Sequence, residues 1–249
     1  MPRYKLLLEY DGTGLVGWQR QSNGLSVQEV LETAVERFCG AAITVHGAGR
    51  TDAGVHALGQ AAHLDLAKEW PLEVIRNALN QHVRPHAVSV LEVTRVGDDF
   101  DARRSARGRR YRYRILNRRA PPTLERSRVW HVGPPLDVAA MREASRLLLG
   151  KHDFSTFRDS LCQARSPVKT LDALDVTQSG EEIWFEARAR SFLHHQVRNM
   201  VGSLKLVGAG KWRIQHIAEA LEARDRRAGG PTAPPDGLYL LEVIYAEAC

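Results

Sequence analysis

The chain has 249 residues, 43% of them apolar and 26% charged, which suits a globular protein of one large domain or two smaller ones. No run approaches the roughly 18 apolar residues of a membrane helix, and the opening "MPRYKLLLEYDG" lacks a signal-peptide pattern. The formal net charge is +6, yet residues 102–124 contain nine arginines and no acid, so the remainder is net negative. Positive charge gathered in this way points to a polyanionic partner, most simply nucleic acid, against the alternative of a solvated basic face.

The elements follow in chain order. "RYKLLLEY" reads as a strand with Tyr4, Leu6, Leu8 and Tyr10 on one face. "SVQEVLETAVERFCG" reads as a helix: Ser26 and Glu29 form a capping box, Val27, Val30, Leu31, Ala34, Val35 and Phe38 a stripe, and Gly40 a stop. A short strand is expected around 42–46, then a glycine-rich loop, a strand around 55–66, a helix from Pro71 and a strand around 88–96. This is the split β-α-β-β-α-β order.

A second half repeats the theme. Strands are expected at 110–116, 128–132, 169–177 and 182–191, with helices over "LDVAAMREASRLLLG", 195–208 and 214–223 and a final strand "LYLLEVIYA". The fold class is therefore α+β in two related halves. The expected division is 1–105, carrying the loop at 47–60, and 106–249, carrying a basic Y-x-Y strand and a VRNM helix.

The glycine loop "VHGAGRTDAGVHALGQ" admits several chemistries. Its spacing is not G-x-G-x-x-G, a strand rather than a helix follows it, and no GxxxxGK[ST] occurs, so no nucleotide cofactor is expected. His46, His56, His63, His194 and His195 show no HExxH, and Cys39, Cys162 and Cys249 show no CxxC. Adjacent histidines point apart on a strand or a helix, so hydrogen bonding is expected of them rather than metal ligation. Three separated cysteines also suit a reducing cytoplasm. No G-x-S-x-G supports a serine nucleophile, and Asp52 has no second acid near it for a glycosidase pair.

Asp52 could cap a turn. Its neighbours favour chemistry: glycines allow close approach of a substrate, and Arg50 can hold a phosphate and keep Asp52 ionised. On the strand "RRYRYRI", Tyr111, Tyr113 and Ile115 share one face and Arg110, Arg112 and Arg114 the other. Such a strand can stack an unpaired base while arginines take phosphates, or its tyrosines can be core. Arg198 falls in the first turn of a helix, where the dipole prefers anions, so it is either a surface residue or aimed at a carboxylate or phosphate.

Taken together, "EYDGTGLVGWQRQ", "GAGRTDAGVHALGQ", "FDARRSARGRRYRYRI", "KHDFSTFR", "FLHHQVRNMVGSL" and "GLYL" resemble the tRNA pseudouridine synthase A family across essentially the whole chain. The resemblance implies two ferredoxin-like halves whose sheets join, with the active cleft between them. It implies isomerisation of uridine to pseudouridine in the anticodon stem-loop of tRNA, without metal or organic cofactor, by a cytoplasmic homodimer. It makes Asp52 the catalytic residue, with Tyr111, Arg198, Arg50 and Leu238 binding substrate. The basic segment supplies Arg109, Arg110 and Arg112 as RNA contacts. An RNA-binding or chaperone module without catalysis, or a synthase with another RNA target, is the alternative.

Overall fold

Strand β1 (Arg3–Tyr10) buries Tyr4, Leu6, Leu8 and Tyr10, the face that its alternation predicts. A computed structural model describes residues 1–246; Cys249 lies outside them. The chain divides into two units, Met1–Arg107 with the chain from Tyr239 onward, and Gly108–Leu238.

In the first unit, α1 (Val27–Cys39) starts where the Ser26 hydroxyl accepts the Glu29 N–H at 3.1 Å. It stops at Gly40, whose φ of 74° is the left-handed conformation that glycine adopts without strain. Strands β2 (His46–Gly47) and β3 (His56–Asp65), helix α2 (Leu72–His82) and strand β4 (Val88–Val96) complete the β-α-β-β-α-β order. β1 lies between β4 and β3, antiparallel to both.

The strand expected at 42–46 shrinks to two residues. Side chains of α1 are the cause: the Gln28 side chain donates to the Val45 carbonyl at 3.2 Å, and the Val45 N–H donates to Glu32 at 3.1 Å. With both backbone groups of Val45 satisfied by α1 side chains, no strand partner is needed there. β2 then pairs with one end of β3, His46 opposite His63, and the final strand β10 (Leu238–Ile244) pairs parallel with the other end through Tyr239 and Leu240. The loop that joins β2 to β3 leaves and re-enters along this edge.

The opposite face of β3 is also covered. Ala48, Ala61 and Ala102 form a small core there, with Phe100, Val243 and Tyr245 packed against it. The Ala102 N–H donates to His63 Nδ1 at 3.1 Å, and Tyr245 donates to the Ala102 carbonyl at 2.7 Å. Burial holds the His63 imidazole below its ordinary pKa.

The second unit contains β5 (Gly108–Leu116), β6 (Trp130–His131), α3 (Val138–Arg146), β7 (Gly150–Asp153), β8 (Val168–Ser179), β9 (Glu182–Ala189), α4 (Gln196–Gly208) and α5 (Gln215–Ala223). Its sheet runs β5-β9-β8-β7, antiparallel throughout, with β6 parallel to β5. Ile183, Phe185, Ala187 and Ala189 of β9 are buried, and so are Val197, Val201, Leu204 and Val207 of α4, as their periodicities predict. Strand β7 was not expected from its sequence: four residues rich in polar groups carry too little alternation to register. Among the described residues, no helix is long and apolar enough to cross a membrane.

Candidate active site

The loop between β2 and β3 carries Arg50, Thr51 and Asp52, and residues 12–18 hold it through the main chain. The Trp18 N–H donates to the Thr51 carbonyl at 3.0 Å, and the Gly54 N–H donates to the Leu15 carbonyl at 3.3 Å. The Val55 N–H closes a turn onto the Asp52 carbonyl at 3.1 Å. Such closeness requires glycine. A Cβ on Gly12 would collide with the Val55 carbonyl, and one on Gly17 would stand 2.5 Å from the Thr51 oxygen, at a φ of +100° that side chains rarely tolerate. Gly12 and Gly17 of "EYDGTGLVGWQ" thus brace the Asp52 loop. Asp52 is half-buried and Arg50 exposed.

Side chains brace the same loop from within. The Tyr10 and Thr51 hydroxyls meet at 2.8 Å. The Gln60 amide reaches the Gly49 carbonyl at 2.9 Å and the Tyr10 oxygen at 3.5 Å. Burial pushes the Tyr10 phenol up to about 12, although its bonds to Thr51 and Gln60 oppose the shift. His56, just after the loop, accepts the Gly12 N–H at 3.1 Å and stacks on Tyr239 with ring centres 4.7 Å apart.

In the second unit the two tyrosines of Y-x-Y part ways. Tyr113 is wholly buried and donates to the Pro234 carbonyl at 2.8 Å, and burial raises its phenol well above the ordinary value. Tyr111 is half-buried and meets Phe192 edge-on, with centres 5.2 Å apart. Of the pair, Tyr111 is the ring with open surface.

Two arginines on the opposite face of β5, Arg112 and Arg114, meet carboxylates. Arg112 donates through Nε to Glu186 at 2.8 Å and lies 4.4 Å over the Trp184 ring. Arg114 pairs with Glu182 at 2.7 Å, and that guanidinium, with the Trp184 N–H, holds the Glu182 carboxyl below the usual range against the pull of burial. Arg110 is exposed, and Arg109 donates to the Arg190 carbonyl at 2.7 Å. A stripe that is uniformly basic in sequence is thus part-neutralised by β9.

Arg198 occupies the third position of α4, a helix with no acid in its first turn. Its Nε donates to the Ala233 carbonyl at 2.8 Å, and the Ala233 N–H returns a bond to the Arg198 carbonyl at 3.1 Å. The chain at 230–233 lies tight on α4: a Cβ on Gly202 would strike the Pro231 carbonyl, and the Gly230 N–H donates to Ser203 at 2.9 Å. Arg226 ties this strap down, donating to the Gly230 carbonyl at 2.9 Å, to Thr232 at 3.1 Å and to Asn199 at 3.2 Å. Leu238 follows the same loop and is buried. Arg226 and Thr232 carried no motif in the sequence, and Asn199 was legible only as the N of VRNM.

His194 and His195 lie just before α4. Contrary to expectation their rings do not point apart; the centres are 4.0 Å from each other. His195 has a φ of 61°, outside both strand and helix, which turns its ring toward its neighbour. Its Nδ1 lies 2.8 Å from Asp159. Burial raises the Asp159 carboxyl, but the Leu161 N–H and His195 outweigh it and leave the group below its ordinary value.

A family model described as tRNA pseudouridine synthase matches residues 7–103 and 144–246. The chain belongs to the tRNA pseudouridine synthase family. It is 62% identical to "tRNA pseudouridine synthase A" of Paramagnetospirillum magneticum over 99% of this chain and 96% of that one. It is 58% identical to the protein of the same name from Methylocella silvestris over 100% of both chains, and 59% identical to that of Rhodospirillum rubrum over 98% of this chain and 88% of that one. The matched spans of the tRNA pseudouridine synthase model include Asp52, Arg198 and Leu238, while Tyr111 falls in the interval between them.

Proposed function

We propose that the chain converts uridine to pseudouridine in the anticodon stem-loop of tRNA, with Asp52 as the reacting carboxylate. The observation that carries this reading is the braced loop: two glycine contacts, main-chain bonds and a buried hydroxyl pair all converge on the residues flanking Asp52, in a member of this family.

The reaction is an isomerisation. The N1–C1′ bond breaks, a C5–C1′ bond forms, and the proton on C5 is exchanged for one on N1. Nothing is oxidised or reduced, and no group leaves. A carboxylate serves such a step by attacking C1′ or by removing the C2′ proton, and an aspartate with an ordinary pKa of about 3.9 is ionised at neutral pH. In this reading Tyr111 stacks on the extruded base and Arg198 supplies positive charge to the carboxylate. Arg50 takes backbone phosphate and Leu238 walls the uracil. Arg109, Arg110 and Arg112 serve as the RNA contacts. Extruding a nucleotide costs a few kcal/mol, on the order of what stacking and arginine contacts return. A homodimer acting in the cytoplasm belongs to the same reading.

The test treats transcribed tRNA with the protein and measures pseudouridine. Wild type forms product; Asp52→Asn forms none while still binding tRNA. A variant that modifies RNA at the wild-type rate removes Asp52 from the reaction, and a wild type that binds without product makes the chain an RNA-binding module.

A further inference from the structure

We infer that the Tyr10 hydroxyl is a positioning group for catalysis, setting the direction of Asp52 by clamping the side chain of Thr51. The inference rests on the assignment of Asp52 as the reacting carboxylate.

Tyr10 ends β1 just past a register shift in its pairing with β3, and the residue is 4% exposed. Thr51, immediately before Asp52, is 6% exposed, so bulk water offers no ready substitute for the bond between their hydroxyls. Gln60 braces the same pair. Its Oε1 accepts the Ala61 N–H at 3.2 Å, which turns Nε2 toward Gly49 and Tyr10. The phenolic oxygen thus has an N–H donor beside it and the Thr51 hydroxyl 2.8 Å away, and either hydroxyl of the pair can donate to the other. Burial keeps the phenol protonated across the working pH range, so the bond between the two hydroxyls persists there.

The Thr51 backbone is meanwhile held from another side, its carbonyl accepting the Trp18 N–H. A residue pinned at both its carbonyl and its hydroxyl has little freedom left, and the following Cα inherits that constraint. Gln60, Tyr10 and Thr51 thus form a relay from the buried sheet to the reacting loop. Reacting groups lose rate steeply on misplacement by about 1 Å, while a loop that shifts by that amount still binds RNA through other contacts. The relay therefore acts on the chemical step.

The experiment measures single-turnover pseudouridine formation on transcribed tRNA with saturating protein, alongside tRNA affinity and thermal unfolding. Tyr10→Phe and Thr51→Val are each expected to slow the step about tenfold or more, with affinity within about twofold of wild type. Thr51→Ser, which keeps the hydroxyl, retains the wild-type rate. The double variant Tyr10→Phe/Thr51→Val is no slower than the slower single one, because both remove the same bond. Wild-type rates in the single variants, multiplied losses in the double, or Thr51→Ser falling as far as Thr51→Val each overturn the inference. Should Tyr10→Phe fail to fold, the contrast of Thr51→Ser with Thr51→Val decides. Failure of wild type to form pseudouridine instead overturns the functional reading beneath it.

Discussion

Arg198 and Ala233 hold each other: the arginine Nε donates to the alanine carbonyl at 2.8 Å, and the alanine N–H donates to the arginine carbonyl at 3.1 Å. Through this pair the guanidinium is aimed by a loop 35 residues away in sequence, not by its own helix. The helix dipole alone would make a poor support for a cation at this end.

The support can be weakened without touching Arg198. Arg226→Gln removes the guanidinium that joins Gly230, Thr232 and Asn199. Leaving partly buried acceptors unpaired costs roughly 1–3 kcal/mol. Thermal unfolding is expected at lower temperature, and turnover at saturating tRNA falls while affinity persists. Turnover that stays at the wild-type level despite the lost stability would separate the strap from Arg198's work.

The two tyrosines of β5 are expected to respond in opposite ways. Tyr113→Phe deletes a buried bond to Pro234 and lowers stability by about 1 kcal/mol with little effect on product. Tyr111→Ala leaves stability nearly intact and abolishes most pseudouridine formation. Parallel measurement of unfolding and single-turnover rate checks both; a reversed pattern would move the stacking role to Tyr113.

Acid should reveal the Arg3–Asp65 pair. Arg3 grips the carboxylate with Nε at 2.7 Å and Nη2 at 2.8 Å, and this bond holds the Asp65 carboxyl below its ordinary value despite some burial. A depressed folded pKa stabilises the fold fully above the unfolded value of about 3.9, and the benefit fades as pH falls through the lower folded value. Both side chains are partly exposed, so the pair contributes about 1 kcal/mol or less. Asp65→Asn should therefore lower Tm by a few degrees at neutral pH. The gap to wild type should close in strong acid. A gap that widens there would mean the carboxylate is not the stabilising form.

Salt dependence of tRNA binding separates the arginines of the basic segment. Replacing Arg109 and Arg110 by alanine should flatten the slope of log affinity against log salt by about 0.9 per lost duplex phosphate contact, less for single strands. Arg112→Ala, whose guanidinium is engaged by Glu186 and Trp184, should change the slope less and stability more. An unchanged slope for Arg109 and Arg110 would turn that segment away from the RNA.

Much of the architecture was legible locally. The alternation of Tyr4, Leu6, Leu8 and Tyr10, the Ser26 cap, the Gly40 stop and the stripe of α4 all report a backbone period, which neighbouring residues carry by themselves. Where local reading failed, a side chain from another element or a single unusual backbone angle had intervened. The strand before His46 was shortened by Gln28 and Glu32 of α1, and the histidine pair was turned by one left-handed residue.

By itself the sequence determined the split β-α-β-β-α-β order, the concentration of arginine and the RTDAGVH loop around Asp52, because period, charge and motif are properties of consecutive residues. Tertiary structure decided which of these groups are already engaged. Glu186 reaches Arg112 from 74 residues away, and Pro234 reaches Tyr113 from 121. The clamp of Tyr10 on Thr51 spans 41. Bonds of that separation exist only once the strands have paired, and no pattern along the chain records them.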